Sequence, residues 1–204
     1  MPHQNRVTPF SSIIADPARG LFMGNRGCLH GADGNIRRNC NGKRWITCLT
    51  RFKDRRRALL QPGRYTELFF LDEAVAFAAG HRPCAECRRA DYERFQAAWR
   101  RAGLPDAPGA DAMDFILHAA RLDPATGRQR RFDAHAEDLP DGTFALIDGQ
   151  PALRLRKAFL PWRPGGYSPA LPCRIPQTVP VLTPDPFVRI IAAGYRPAIH
   201  PSAG

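Results

Sequence analysis

The chain has 204 residues, 44% of them hydrophobic, enough for one self-sufficient core or two small ones. No apolar run reaches the length of a membrane span and the N-terminal MPHQNRVTPF has no signal-peptide core, so a cytoplasmic protein with no membrane contact is expected. The net charge of +11 comes almost wholly from arginine, the lysines being Lys43, Lys53 and Lys157, and it favours a polyanionic partner such as nucleic acid.

Taken in order, residues 1–20 read as an irregular arm carrying Pro2, Pro9 and Pro17. A small meander is predicted next. Residues 27–30 form a short strand, Asp33-Gly34 a turn, Ile36 the start of a return strand, Asn41-Gly42 a second turn and 43–49 a third strand. This meander gathers Cys28, His30, Cys40 and Cys48 on neighbouring strands and turns. Directly after Cys48 comes a basic run, Arg51, Lys53, Arg55, Arg56 and Arg57, with Phe52 among them as a stacking group.

The most informative stretch is YTELFFLDEAVAFAAGHRPCAEC, residues 65–87. Residues 66–71 are apolar and aromatic and predict a strand. Asp72 is placed to cap a short helix over 73–79, which Gly80 ends in the left-handed conformation. Pro83 then precedes Cys84 and Cys87, a C-x-x-C whose turn directs both sulfurs the same way, as one zinc ion requires. Six cysteines in a reducing compartment favour metal binding over disulfides.

The run Ala78-Ala79-Gly80-His81-Arg82-Pro83-Cys84-Ala85-Glu86-Cys87 resembles the Ada-type zinc-binding module, the N-terminal domain of bacterial alkylation-response methyltransferases, and the related modules appended to some bacterial nucleases. The likeness is specific over this stretch and spans about the first half of the chain. It implies a structural Zn²⁺ held by four ligands and an association with DNA. Trp45-Ile46-Thr47-Cys48 fits the strand end that carries the first upstream ligand, so Cys48 matches that position. The second falls where this chain has Arg51 and Phe52. The fourth ligand is therefore open among His30, Cys40 and Cys28, in that order of preference. Against these stand two plainer readings: His30 as a hairpin residue bonded to backbone, and Cys28 as a small core hydrophobe. In the methyltransferases the cysteine matching Cys48 also accepts a methyl group from DNA. With the companion ligand and the P-C-H-R motif missing, that activity does not carry over.

Beyond Cys87, Arg88 and Arg89 extend the expected basic surface. Arg82 and Arg88 flank the thiols and are expected to support their sulfurs. Tyr92, Phe95 and Trp99 make one apolar stripe on a helix that ends at Gly103. A loop at 104–111 leads to a helix over 112–122. Two strands, 143–147 and 150–155, flank the hairpin signal Asp148-Gly149, and an aromatic Gly-rich loop covers 162–167. A strand at 179–182 and a helix over 184–193, capped by Thr183, end in Ala192-Ala193-Gly194-Tyr195-Arg196-Pro197, an echo of residues 78–83 without the cysteines.

These elements predict an α+β protein: a β-meander and helices around a zinc site in residues 1–104, then helices and a β-hairpin subdomain in 105–204. The expected ligands are Cys48, Cys84, Cys87 and His30. The expected nucleic-acid contacts are Arg51, Lys53, Arg55, Arg56, Arg57, Arg88 and Arg89, with DNA preferred to RNA. An enzyme built on His118, Asp133, His135, Asp138 and Asp141 is the alternative, but no catalytic spacing joins them. A third reading is a module that meets an acidic protein.

Overall fold

The computed structural model describes residues 1–53, 58–107, 109–171 and 176–204. Among these the chain is an α+β protein with two six-stranded sheets and four α-helices. None of the helices is long and apolar enough to cross a membrane.

The first sheet is built from β1 (Gln4–Val7), β2 (Ile13–Ala15), β3 (Phe22–Asn25), β4 (Ile46–Leu49), β5 (Leu68–Phe70) and β6 (Arg82–Pro83), in the spatial order β2-β1-β5-β3-β4-β6. Its helices are α1 (Glu73–Ala78) and α2 (Arg89–Arg101). After α3 (Ala110–Arg121) come β7 (Phe132–His135), β8 (Phe144–Ile147), β9 (Gln150–Leu155), β10 (Ala158–Arg163), β11 (Gly166–Tyr167) and β12 (Thr178–Val181). These form the second sheet, ordered β11-β10-β9-β8-β12-β7. The chain closes with α4 (Asp185–Ala192) and a 3-10 turn, Pro201–Ala203.

Helix α1 organises the packing. All six of its residues are buried, so it has no solvent face and reads as uniformly apolar apart from Glu73. One apolar cluster joins Val7, Phe70 and Ala74 to Phe144, Leu153 and Leu182, drawing on both sides of the 104/105 division. A second gathers Phe77 with the stripe Tyr92, Phe95 and Trp99 and with Phe187, Ile190 and Tyr195 of the C-terminal helix unit.

Several expectations are corrected. The arm is not irregular: β1 and β2 form an antiparallel hairpin, and β1 also pairs parallel with β5 through Arg6 and Phe69. Its prolines lie outside the paired residues, and Val7 enters the core at 2% exposure. Residues 27–30 do not form a strand. The places beside β4 and β5 are taken by Phe22–Asn25, and the 30s loop keeps one bridge, His30 to Ile36. The aromatic loop at 162–167 is the β10–β11 hairpin, with Trp162 opposite Tyr167. Thr183 does not cap α4; its hydroxyl accepts from the Phe144 amide at 2.9 Å.

Asp72, Gly80 and Asp148-Gly149 act as read. Asp72 accepts from the Val75 amide at 2.9 Å, Gly80 has φ +83°, and Asp148 and Gly149 both take the positive φ that a two-residue hairpin turn needs. The C-terminal echo is geometric as well as sequential. Gly80 and His81 donate to Phe77 and Ala76, and Gly194 and Tyr195 donate to Ile191 and Ile190, the same pair of closing bonds.

Candidate metal centre

The centre is assembled by a short parallel pairing. Arg82–Pro83 runs beside β4 with Arg82 opposite Ile46 and Pro83 opposite Thr47. The Cys84 amide then donates to the Thr47 carbonyl at 2.9 Å. That register sets Cys84 next to Cys48, and the turn into α2 returns Cys87 to the same place. The ligand atoms of Cys48, Cys84 and Cys87 all lie within 4.8 Å of one another, the one such group of cysteine, histidine or carboxylate among the described residues.

The donor set fits a soft divalent cation. In a tetrahedral zinc site with bonds of about 2.3 Å the sulfurs stand about 3.8 Å apart, within the 4.8 Å limit that these three sulfurs meet. Two amides already point at the sulfurs: Leu49 at Cys87 and Glu86 at Cys84, each at 3.4 Å. Such bonds favour thiolate over thiol.

Without a cation the three sulfurs share their protons unequally. Hydrogen bonds from Cys48 and Cys87, aided by main-chain donors, hold Cys84 far below the usual thiol range in spite of its burial. Cys48 is pushed far up, first by its bonds to Cys84 and Cys87 and then by burial. Cys87 is drawn down by Cys48, but Cys84 and burial outweigh that and leave it raised. A metal ion would let all three ionise together.

The fourth side of the group opens into a recess of about 370 Å³. Its walls include Met23, Phe52, Tyr65 and Phe69, with the carboxylates of Glu67 and Glu86. A second hollow of about 500 Å³ adjoins it, lined by Arg6, Arg19 and Arg51 and, among the described residues, by no carboxylate. The two share Thr50, Leu59 and Phe69 as walls, and the Arg6 guanidinium stands 4.9 Å from the centre of the Phe69 ring.

The other expected ligands lie elsewhere. His30 is not beside the sulfurs: its Nδ1 is 2.6 Å from the Thr66 hydroxyl and its Nε2 3.2 Å from the Gln61 carbonyl. The plainer reading, a hairpin residue bonded to backbone, holds for Nε2 alone, since Nδ1 faces a side chain. The Cys28 thiol donates to the His30 carbonyl at 3.7 Å. Cys40 is near the guanidinium groups of Arg26 and Arg121, and neither it nor Cys28 belongs to the sulfur cluster.

The expected basic surface divides. Arg51 and Lys53 are exposed, and Arg89 is exposed with Glu93 as its partner at 2.7 Å. Arg88 is buried and corrects the expectation: it pairs with Glu73 and Asp91 at 2.7 and 2.6 Å, and stands over the Phe22 ring. Arg82 does not support the sulfurs either: Nε and Nη2 donate to Asp114 at 3.0 and 2.7 Å, and Nη1 donates to the Pro83 carbonyl at 3.0 Å. Arg55, Arg56 and Arg57 lie outside the described residues. Arg6 and Arg19 were not singled out by the sequence, since they are isolated there and meet Arg51 only through the β1–β5 pairing and the turn before β3.

Residues of the alternative, enzymatic reading are scattered. His135 and Asp138 line an open cavity of about 890 Å³, whereas His118 lies edge-on to Trp45 at 6.1 Å.

No protein-family model matches the chain, and no curated protein or solved structure matches it.

Proposed function

We propose that this chain is a zinc-binding protein that holds nucleic acid, DNA in preference to RNA, along the surface joining the cysteine recess to the arginine-lined hollow beside it. One observation carries the reading: the two cavities share Thr50, Leu59 and Phe69, so a strand lying in the hollow reaches the recess without a break. Arg6, Arg19 and Arg51 are suited to the phosphates, and Phe52, Tyr65 and Phe69 to a base. Cys48, Cys84 and Cys87 would hold Zn²⁺, which, when bound, ties β4 to the start of α2 and so keeps the two cavities in register. The resemblance of residues 78–87 to the Ada-type module supports the choice of metal and of DNA. Five free cysteines among the described residues fit a reducing cytoplasm.

The test is fluorescence anisotropy of the zinc-loaded protein with labelled DNA and RNA strands over a series of salt concentrations. Affinity should fall linearly on logarithmic axes, and Arg19→Ala with Arg51→Ala should weaken binding and lower the salt slope by about two. Absence of binding at low salt, or a flat salt response, would turn the reading toward a protein-interaction module.

A further inference from the structure

A second site lies on other residues, around Trp45. Arg26, Arg82 and Arg121 are almost wholly enclosed there, at 1%, 2% and 1% exposure. Among the described residues Asp114 is the one carboxylate that pairs with any of the three. Asp114 gives both oxygens to Arg82 and stands 3.8 Å from Arg121. Among the described residues no carboxylate lies within ion-pair distance of Arg26; its two terminal nitrogens donate to the hydroxyl and carbonyl of Ser11 at 2.6 and 2.9 Å. Nε of Arg26, and Nε and Nη2 of Arg121, are buried with no acceptor. Burial lowers these two side chains to about 10 and about 9, which leaves both protonated at neutral pH. Three enclosed cations against one carboxylate leave two positive charges in excess, an arrangement that is costly unless an anion offsets it.

One of these cations, Arg26, lines a cavity. A hollow of about 780 Å³ is lined by Arg26, with Arg128 and Arg131 on exposed positions and the hydroxyls of Ser11, Ser12 and Thr126 between them. Among the described residues no carboxylate lines it. Three arginines, Arg26, Arg128 and Arg131, and three hydroxyls around one space suit a tetrahedral oxyanion.

We infer that this hollow binds the phosphate of a phosphomonoester, with Arg26 as its buried anchor and Arg128 and Arg131 closing over it. The phosphate can come from a free nucleotide or from the end of a nucleic-acid strand, because the recognised group is the same. The site does not depend on the cysteine centre.

Calorimetry and thermal unfolding of the full-length, zinc-loaded protein test this, with inorganic phosphate, adenosine monophosphate, and one oligonucleotide in 5′-phosphorylated and 5′-hydroxyl forms, all at matched ionic strength. Phosphate and the monophosphate are expected to bind and to raise the unfolding temperature. Arg128→Gln with Arg131→Gln should weaken them about tenfold or more, as loss of charge-assisted bonds does. These positions are exposed, so the fold survives even where Arg26→Lys does not. Tighter binding of the 5′-phosphorylated than of the 5′-hydroxyl oligonucleotide assigns the source to a strand end, and equal binding of the two while the monophosphate binds assigns it to a free nucleotide. No binding of any phosphate form to the folded protein overturns the inference, as does unchanged affinity in the doubly substituted variant. The 5′-hydroxyl strand reports separately on the surface beside the cysteines.

Discussion

Nη2 of Arg88 lies 2.7 Å from Oε1 of Glu73, with both side chains 2% exposed. This pair joins the residue after the C-x-x-C to the first turn of α1. Glu73 also accepts from the Tyr195 hydroxyl and the Ala198 amide, both at 2.9 Å. Neighbouring Asp72 accepts from the Tyr167 hydroxyl at 2.7 Å and the His200 amide at 3.0 Å. The cysteine hook is therefore anchored through α1 to the C-terminal segment of the chain.

Removing one partner of a buried, hydrogen-bonded ion pair strands the other. Arg88→Met is expected to cost about 3–5 kcal/mol of stability. Arg89→Ala, on the exposed side of the same helix, should stay within about 0.5 kcal/mol of the parent. Urea unfolding of the two variants separates the positions, and equal losses would mean that Arg88 has no special place in the core.

Metal content distinguishes the ligands. Elemental analysis should find roughly one zinc per chain in the parent and in His30→Gln, and roughly none in Cys48→Ser, because three thiolates and no histidine define the centre. A zinc loss in His30→Gln equal to that of Cys48→Ser would return His30 to the site. In small peptides a structural zinc supplies on the order of 10 kcal/mol to folding, so Cys48→Ser should also unfold earlier.

His81 gives the protein a sensitivity to acid. The ring is fully buried, 5.2 Å from Trp45 and 4.7 Å from Phe70. Burial first, then the charges of Arg26 and Arg121, hold its pKa well below 6.5. The folded state keeps it neutral, while the unfolded chain takes up a proton below about 6.5. The unfolded state thus binds more protons there, and stability falls as pH drops, by about 1.4 kcal/mol per pH unit from this group, until the folded-state pKa is reached. Urea midpoints of metal-free protein between pH 7.5 and 5 should fall less steeply in His81→Phe than in the parent; identical slopes would rule this out.

The two glycine stops should differ in cost. A methyl group at Gly80 would meet Cγ and Cδ of the buried Arg121 at 2.7 and 2.9 Å, whereas at Gly194 the nearest atom is Nη2 of Arg101 at 3.6 Å. Both residues have positive φ, +83° and +101°. Gly194→Ala is expected to cost about 1 kcal/mol for the backbone alone, and Gly80→Ala about 2–3 kcal/mol because crowding is added. Thermal unfolding of both variants measures the difference.

Much of the chain was legible where the signal is local. Asp72, Gly80, Asp148-Gly149 and the stripe Tyr92, Phe95, Trp99 act through neighbours within a turn or two, and each is found in the role its residue type implies. The hairpin of β1 and β2 was not legible, because Pro2, Pro9 and Pro17 mark breaks whether or not the residues between them pair. The exposure of an arginine was not legible either. Arg88 and Arg89 are adjacent and chemically identical, and one is buried while the other is in water.

By itself the sequence determined the α+β class, the strand–helix–glycine–proline unit that presents Cys84 and Cys87, and the excess of positive charge, since capping, turn chemistry and composition are properties of short segments. Only the tertiary structure decided that His30, Cys40 and Cys28 stand apart from the sulfur cluster, which arginines face solvent, and that Arg26 and Arg121 are shut in with too few carboxylates. Those outcomes depend on the parallel register of β4 with Arg82–Pro83 and on α1 packing between residues far apart in the chain, and no local rule carries that information.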